Sequence, residues 1–204
     1  MTAGAKALQP LGPHAVHIVV DMQRVFAEPT AWHVPSLPTI IDPIVALTRR
    51  HSAHTIFTRF MTPRHLADAT GSWRRYYERW PMVLQDSMDA ALLDLVGPLA
   101  GFVPPAEVCD KTTFSSMQSA ALVASLDRRR ADTLVLTGAE TDVCVLATAL
   151  EAVDRGYRTI VAADAVTSLS TAGHHATLDA VFARLDQQIE IARVDDVLAA
   201  WPKE

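Results

Sequence analysis

The stretch Thr133-Leu-Val-Leu-Thr-Gly138-Ala-Glu-Thr-Asp-Val-Cys144-Val-Leu-Ala-Thr-Ala-Leu150 carries a short apolar run, then a glycine, then a cysteine. The apolar run is typical of a buried strand, and the alanine- and leucine-rich pattern from 142 to 155 is typical of a helix. With Thr141 or Asp142 as the N-cap, Cys144 falls in the first helical turn, where free backbone N–H groups favour an anion. A thiol there tends toward the reactive thiolate, but a lone cysteine is just as often a core residue, so position alone leaves both interpretations open.

The same alternation of strand-like and helix-like patterns runs along the whole chain. Near-continuous apolar strands separated by helices are typical of a parallel sheet that is covered on both faces. Strands are expected at 16–20, 55–60, 107–109, 133–136, 158–162 and 188–191, and helices at 39–51, 88–100, 116–129, 142–155 and 171–185, with a short one after Asp195. The sequence therefore predicts an α/β protein: a single-domain three-layer α/β/α fold with a mainly parallel, six-stranded, Rossmann-like sheet.

Composition narrows the class of protein. A chain of 204 residues, 50% hydrophobic and 20% charged, suits one domain spanning 1–204. The formal net charge of −5 argues against nucleic-acid or membrane partners, and no apolar stretch reaches the roughly 18 residues that a membrane span needs. Residues 1–13 are expected to form a flexible tail without a secretion signal. Two cysteines make neither a disulfide framework nor a metal knuckle, so a cytoplasmic location without metal or cofactor is expected.

Polar residues stand where the predicted strands end. Asp21 follows the first strand, Arg59 ends the second, Lys111 follows the third and Cys144 follows the fourth. Since parallel strands end at one edge of the sheet, where such proteins bind ligands, these side chains are expected to meet. A cysteine nucleophile needs a base and benefits from a nearby cation, and the aspartate and the lysine supply both. The alternatives are a polar strand end, a surface lysine and a core cysteine.

The segment 61–85 interrupts the alternation of strands and helices. It lacks a clear periodicity and mixes Trp73, Tyr76, Tyr77 and Trp80 with four arginines. Long insertions after a strand are usually lids or binding loops. The same residue types are also enriched at oligomer contacts, so the segment is expected to be a lid, an interface, or both.

Three motifs together resemble the isochorismatase-like cysteine hydrolases, a family that includes nicotinamidases, N-carbamoylsarcosine amidase and ureidoacrylate amidohydrolases. The motifs are Val19-Val-Asp21-Met-Gln-Arg-Val-Phe26, Asp110-Lys-Thr-Thr-Phe-Ser115 and Gly138-Ala-Glu-Thr-Asp-Val-Cys144-Val145. The resemblance covers roughly 16 to 191. It implies that Asp21 is the proton acceptor, Lys111 the supporting cation and Cys144 the nucleophile. It also implies a cis peptide between Ala139 and Glu140, with the backbone N–H groups of Glu140 and Cys144 as oxyanion donors, and a homodimer or homotetramer.

Departures from the family pattern guide the choice of substrate. Nicotinamidases carry a metal-binding Asp-x-His motif after the second strand, whereas residues 57–65 hold no carboxylate and a single histidine, so no metal is expected. A cysteine at 144 favours C–N hydrolysis over the vinyl-ether cleavage of true isochorismatases. The expected partner is a small, planar amide or ureide, and an arginine fork would suit an anionic one. Candidate substrate-binding residues are Gln23, Phe26, Trp32, Arg59, Trp73 and Tyr77.

Other classes of function stay open at this stage. The chain could keep the fold without turnover, it could be a redox-active thiol protein, or it could be a nicotinamidase-like enzyme. A nucleotide-binding role is disfavoured, because Asp21-Met-Gln23 stands where a glycine-rich phosphate loop would follow the first strand.

Overall fold

The computed structural model describes residues 8–202, which form one parallel sheet flanked by helices. The strands are β1 (Ala15–Val20), β2 (Thr55–Phe60), β3 (Glu107–Lys111), β4 (Thr133–Ala139), β5 (Arg158–Thr167) and β6 (Ile189–Ala192). Their order in the sheet is β3-β2-β1-β4-β5-β6, and all neighbouring strands are parallel. The predicted fold class is therefore confirmed.

Helices cover both faces of this sheet. They are α1 (Arg24–Ala27), α2 (Pro38–Arg50), α3 (Gly71–Arg79), α4 (Gly97–Ala100), α5 (Ala120–Arg129), α6 (Leu146–Asp154), α7 (Thr171–Ala176) and α8 (Val194–Ala200). Short 3-10 segments lie at Ser52–His54, Leu66–Asp68, Pro81–Val83, Gln85–Ser87, Ala90–Leu93 and Ser116–Gln118, and π turns at Thr141–Val145 and Thr177–Phe182. None of these helices is both long and apolar enough to cross a lipid bilayer, within the part of the chain that the structure describes.

Two apolar clusters separate the three layers. On one face, Ile44 and Leu47 of α2 and Val197 of α8 pack against Val19 and Phe57 of the sheet. On the other face, side chains of α5 and α6 pack against the alternate residues of the same strands, among them Ile18 and Ile56. Because successive strand residues point to opposite faces, each strand contributes to both clusters.

The central strands run further than their apolar residues predict. The backbone ladder between β1 and β4 continues to the pair Val20 and Gly138. At that pair the strands approach so closely that a Cβ on Gly138 would lie 2.1 Å from the carbonyl oxygen of Val20, and the glycine has φ +108°. A residue without a side chain is thus required at the end of β4, immediately before the turn that carries Cys144.

Some helix predictions are wrong in detail. The predicted helix 88–100 is instead the 3-10 segment Ala90–Leu93 and the four-residue α4. Asp89 accepts a hydrogen bond from the backbone of Ala91 at 2.9 Å, and Gly97-Pro98 starts a new element, so one continuous helix cannot form. Segment 61–85, for which no period was apparent, contains the helix α3.

The predicted N-terminal tail falls partly outside the described residues, which begin at residue 8. The part of it that is described packs against the body of the protein. Leu11 is buried, and its backbone N–H donates to the carbonyl of Ala200 at 2.8 Å. The carbonyl groups of Gln9 and Pro10 accept from the guanidinium of Arg158.

Candidate active site

Asp21 stands immediately after β1, where the chain leaves the sheet. It has φ +52°, a left-handed backbone conformation that residues other than glycine adopt infrequently. Backbone hydrogen bonds hold this conformation, since its N–H donates to Thr58 at 3.1 Å and its carbonyl accepts from Gln23 at 2.8 Å. The fully buried carboxylate accepts from the Thr58 hydroxyl at 3.2 Å. A turn of the backbone thus places a carboxylate at the C-terminal edge of the sheet.

Lys111 is the last residue of β3, and its side chain is inaccessible to solvent. Its Nζ donates to Oδ2 of Asp21 at 2.7 Å. The carbonyl oxygens of Thr113 and Phe114 accept from the same Nζ at 2.9 and 3.1 Å, and the ring of Phe60 lies 4.9 Å from it. The ammonium group is therefore fixed by several acceptors, and its charge is matched by one buried carboxylate.

Cys144 lies in the π turn Thr141–Val145, not in the first turn of an α-helix as predicted. The N–H groups of Val143 and Val145 both donate to the carbonyl of Glu140, at 3.1 and 3.0 Å. The residues predicted as N-caps bond instead to α7 and to the loop before it. The Thr141 hydroxyl lies 2.9 Å from Nδ1 of His174, and the carboxylate of Asp142 accepts from Ser168 at 2.7 Å. These tertiary partners explain why no capped α-helix starts here.

The expected cis peptide, between Ala139 and Glu140, immediately precedes this turn. Of the two backbone N–H groups that the family resemblance designates as oxyanion donors, that of Cys144 lies in the turn and that of Glu140 at its N-cap.

The three side chains of the expected catalytic set meet. The Cys144 thiol lies within hydrogen-bonding reach of the Asp21 carboxylate and beside the Lys111 ammonium. Burial raises the pKa of the thiol well above its ordinary value, and the negative charge of Asp21 raises it further, while Lys111 opposes both. Burial also raises the pKa of Asp21, against the opposing effect of Lys111. In this site the effect of burial on the pKa of the thiol therefore exceeds the opposing effect of the cation.

A cavity of about 250 Å³ opens above Cys144. Its wall consists of Phe26, Ala31, Trp32, Phe60, Tyr76, Trp80, Phe114, Glu140, Val143, Cys144 and Leu169. Six of these residues are aromatic, and the rings of Phe26 and Trp32 stack with their centroids 5.8 Å apart. A concave, mostly apolar cavity with a few polar groups is typical of a small-molecule site.

Only some of the predicted substrate-binding residues line the cavity. Phe26 and Trp32 line the cavity. Trp73 and Tyr77 do not, because they form the layer behind the wall: Trp73 lies 4.7 Å from Phe114, and Tyr77 is buried against Trp73. Gln23 is fully buried and serves the backbone, donating to Leu93 at 2.8 Å and accepting from Phe60 at 2.7 Å.

Arg59 does not reach the cavity. Strand alternation puts Thr58 and Phe60 on the face that carries the site, so Arg59 points to the opposite face. There it binds Asp110, its register partner on β3, through two hydrogen bonds of 2.8 and 3.0 Å. The arginine fork expected for an anionic substrate is thus bound to a carboxylate of the protein and lines a different groove.

Several wall residues escaped prediction from the sequence. Tyr76 and Trp80 come from the segment 61–85, where Trp73, Tyr76, Tyr77 and Trp80 follow the i, i+3, i+4, i+7 spacing of a helix. That spacing was the available signal, although arginines interrupt it. Phe114 and Leu169 are exposed at the rim, and no pattern marks them. Within residues 8–202, no three His, Cys, Asp or Glu side chains come together in a way that could hold a metal ion.

The fold and the cavity place the chain among three-layer α/β/α proteins that carry a buried cysteine at the C-terminal edge of a parallel sheet. A family model, the isochorismatase domain, matches residues 15–193, and the chain belongs to the isochorismatase family.

Individual proteins of known sequence or structure are also similar to this chain. Maleamate amidohydrolase of Pseudomonas putida is 28% identical over 166 residues, which cover 79% of this chain and 76% of that protein. Nicotinamidase 3 of Arabidopsis thaliana is 26% identical over 165 residues, covering 80% and 78% of the two chains. Among solved structures, a cysteine hydrolase from Pseudomonas syringae superimposes with a TM-score of 0.83 at 26% identity, covering 98% of each chain.

Proposed function

We propose that this protein is a cysteine-dependent hydrolase that cleaves a C–N bond of a small amide or ureide through a thioester intermediate. The observation that carries the proposal is the meeting of Asp21 and Lys111 with Cys144, which lines the cavity. The names of the two relatives, an amidohydrolase and a nicotinamidase, support the same reaction type.

The first stage makes the thioester. As the sulfur of Cys144 adds to the substrate carbonyl carbon, its proton passes to the Asp21 carboxylate, which lies within hydrogen-bonding reach. The oxyanion that forms is held by the backbone N–H groups of Glu140 and Cys144. The C–N bond then breaks, and ammonia or an amine leaves with the proton that Asp21 had taken.

The second stage returns the free enzyme. Asp21 takes a proton from a water molecule as its oxygen adds to the thioester carbonyl. The C–S bond breaks, the sulfur regains a proton from Asp21, and a carboxylic or carbamic acid leaves. Throughout, Lys111 keeps its position between Asp21 and the carbonyl groups of Thr113 and Phe114, so the carboxylate stays aimed at the sulfur. Segment 61–85 acts as the lid in this scheme, since Tyr76 and Trp80 close the outer wall.

The test is an ammonia-release screen of wild type, Cys144→Ala and Cys109→Ala, each with and without a chelator. The panel contains nicotinamide, N-carbamoyl amino acids, ureidoacrylate-like ureides, biuret, maleamate and maleamide. Wild type and C109A should release ammonia, whereas C144A should lose about 10⁴-fold or more in kcat, as when a catalytic nucleophile is removed.

Two further readouts complete this screen. Intact-mass analysis of rapidly quenched wild type should show the acyl adduct on Cys144, and the chelator should have no effect. A folded C144A protein with wild-type turnover would refute the mechanism, and chelator-sensitive release would show a metal-dependent reaction.

A further inference from the structure

Among the residues that the structure describes, none gives the cavity above Cys144 a positively charged wall. None of its wall residues is Lys, Arg or His. Lys111 is not part of the wall either, since its side chain is inaccessible to solvent and its Nζ is bound to Asp21. Arg59, the one arginine that the sequence suggested, binds Asp110 and Asp94 on the opposite face of the sheet.

The cavity wall does contain a carboxylate. Oε2 of Glu140 accepts a hydrogen bond from the backbone N–H of Leu169 at 2.7 Å, and both residues line the cavity. Tyr76 lines the same cavity, and burial raises its pKa to about 12, with a smaller contribution from the Glu140 carboxylate. The hydroxyl of Tyr76, the Glu140 carboxylate and the Cys144 sulfur thus share one small space.

An anionic substrate is disfavoured by these surroundings for two reasons. Its carboxylate would leave water for a wall of aromatic rings without a cation to compensate the lost hydration. It would also approach the like charge of Glu140 at short range, where the effective dielectric constant is well below that of water. A neutral amide avoids both costs, and a cationic group would be attracted by the carboxylate and by the aromatic faces.

We propose that the cavity selects amides that carry no carboxylate, and that the side chain of Glu140 provides this selection. The inference rests on the proposed hydrolase function for its enzymatic meaning, and it narrows the substrate class to neutral or cationic amides. It replaces the sequence-based expectation of an anionic substrate held by Arg59.

The test uses two alkylating reagents that differ only in charge. Iodoacetamide and iodoacetate have nearly the same size, and each transfers its two-carbon group to a thiolate sulfur as iodide leaves. Their rates at Cys144 are measured by peptide mass analysis and divided by their rates with 2-mercaptoethanol, which removes the intrinsic difference in reactivity. Cys109, buried in β3 with a pKa raised to about 11 by burial, serves as the internal control for unfolding.

After division by the rates with 2-mercaptoethanol, iodoacetamide is expected to react with Cys144 about tenfold faster than iodoacetate. A difference of this size is expected from one like charge at short range. Glu140→Gln should remove most of it, because Gln keeps the shape and can still accept from the N–H of Leu169. The matched control is Glu78→Gln, which removes a carboxylate from the exposed side of α3, where it pairs with Arg74 at 3.3 Å. This variant should keep the wild-type preference.

Two alkylation results would overturn the proposal. In the first, wild type reacts equally fast with both reagents after normalisation; in the second, E140Q and E78Q show the same preference for iodoacetamide. In the amide panel, hydrolysis of maleamate as efficient as that of its isosteric diamide, maleamide, would overturn it as well. Alkylation requires no turnover, so its outcome is separate from that of the proposed function. A panel without ammonia release would reject the hydrolase, whereas equal alkylation by both reagents would reject only the charge selection.

Discussion

Two buried polar clusters lie at opposite ends of strand β1, and they differ in chemistry. Near its start, His17 is fully buried between two hydroxyl groups, 2.8 Å from Oγ1 of Thr137 and 3.3 Å from Oγ1 of Thr55. Just beyond its end, Asp21 is equally buried but is bound to the ammonium of Lys111 and to the thiol of Cys144. Burial is the main cause of the pKa shift in both residues.

The difference lies in what the neighbours can exchange. Burial, with a smaller contribution from the charge of nearby His51, lowers the pKa of His17 to about 3, and its hydrogen-bond partners are hydroxyl groups, so the imidazole neither takes nor gives a proton near neutral pH. Asp21 has the Lys111 ammonium on one side and the Cys144 thiol, which lines a cavity, on the other. A buried titratable group is therefore a candidate for chemistry when its partners are also ionisable and a ligand can reach them.

Within this comparison of the two clusters, the largest expected effect comes from Asp21→Asn, which keeps the shape of the side chain but removes the base. We expect kcat/KM to fall by about 10²–10⁴-fold, the usual contribution of a general base, measured with whichever amide wild type hydrolyses. Asp110→Asn is the matched control, since Asp110 neighbours Lys111 in sequence but points to the opposite face, toward Arg59. Similar losses in both variants would place the role of Asp21 in folding and not in catalysis.

His17 should act on stability alone. Because its pKa in the folded protein is lowered from 6.5 to about 3, His17 binds a proton in the unfolded chain, but not in the folded protein, between these two pH values. The free energy of unfolding should therefore decrease as the pH falls from 6.5 to about 3, with a slope that approaches about 1.4 kcal/mol per pH unit.

This effect can be isolated with His17→Gln. Urea unfolding at several pH values should give a shallower acid slope for the variant, while its kcat/KM at neutral pH stays near that of wild type. Parallel slopes for the two proteins would contradict a neutral buried imidazole. A loss of turnover without a loss of stability would show that His17, like Asp21, takes part in catalysis.

The smallest effect is expected for Thr58→Val. This change removes the hydroxyl that donates to Asp21 at 3.2 Å and conserves volume. One lost hydrogen bond of about 1 kcal/mol corresponds to a five- to tenfold lower kcat/KM. Thr48→Val is the control, because the buried hydroxyl of Thr48 has no hydrogen-bond partner among the described residues. Equal kinetics for the two variants would show that the Thr58 bond does not support the carboxylate.

The positions of Asp21, Lys111 and Cys144 were predictable because each belongs to the end of a parallel strand, and strand ends are visible as apolar runs. The same reasoning fails for Arg59, since the alternation of strand side chains turns it to the opposite face. It also fails for Gln23, whose amide replaces missing backbone partners for Phe60 and Leu93. Polar residues at a strand end thus include both site residues and structural ones, and only their contacts distinguish them.

Features set by tertiary contacts were not predictable from local sequence. The turn of Cys144 is a π turn because Thr141 and Asp142 bond to His174 and Ser168, about 30 residues away along the chain. Glu140 was expected only as a backbone donor. Its side chain faces the cavity because its carboxylate accepts a hydrogen bond from the backbone N–H of Leu169. In both cases a local preference gives way to a partner from a distant part of the chain.

The arrangement of the aromatic wall has an optical consequence. Of the four tryptophans of the chain, Trp32 and Trp80 line the cavity and Trp73 packs directly behind it, whereas Trp201 stacks on His51 at 3.9 Å in the other core. Three of the four indoles therefore sense what fills the cavity. We therefore expect a molecule that fills the cavity to quench or shift the intrinsic fluorescence of the unlabelled protein, while the contribution of Trp201 stays constant.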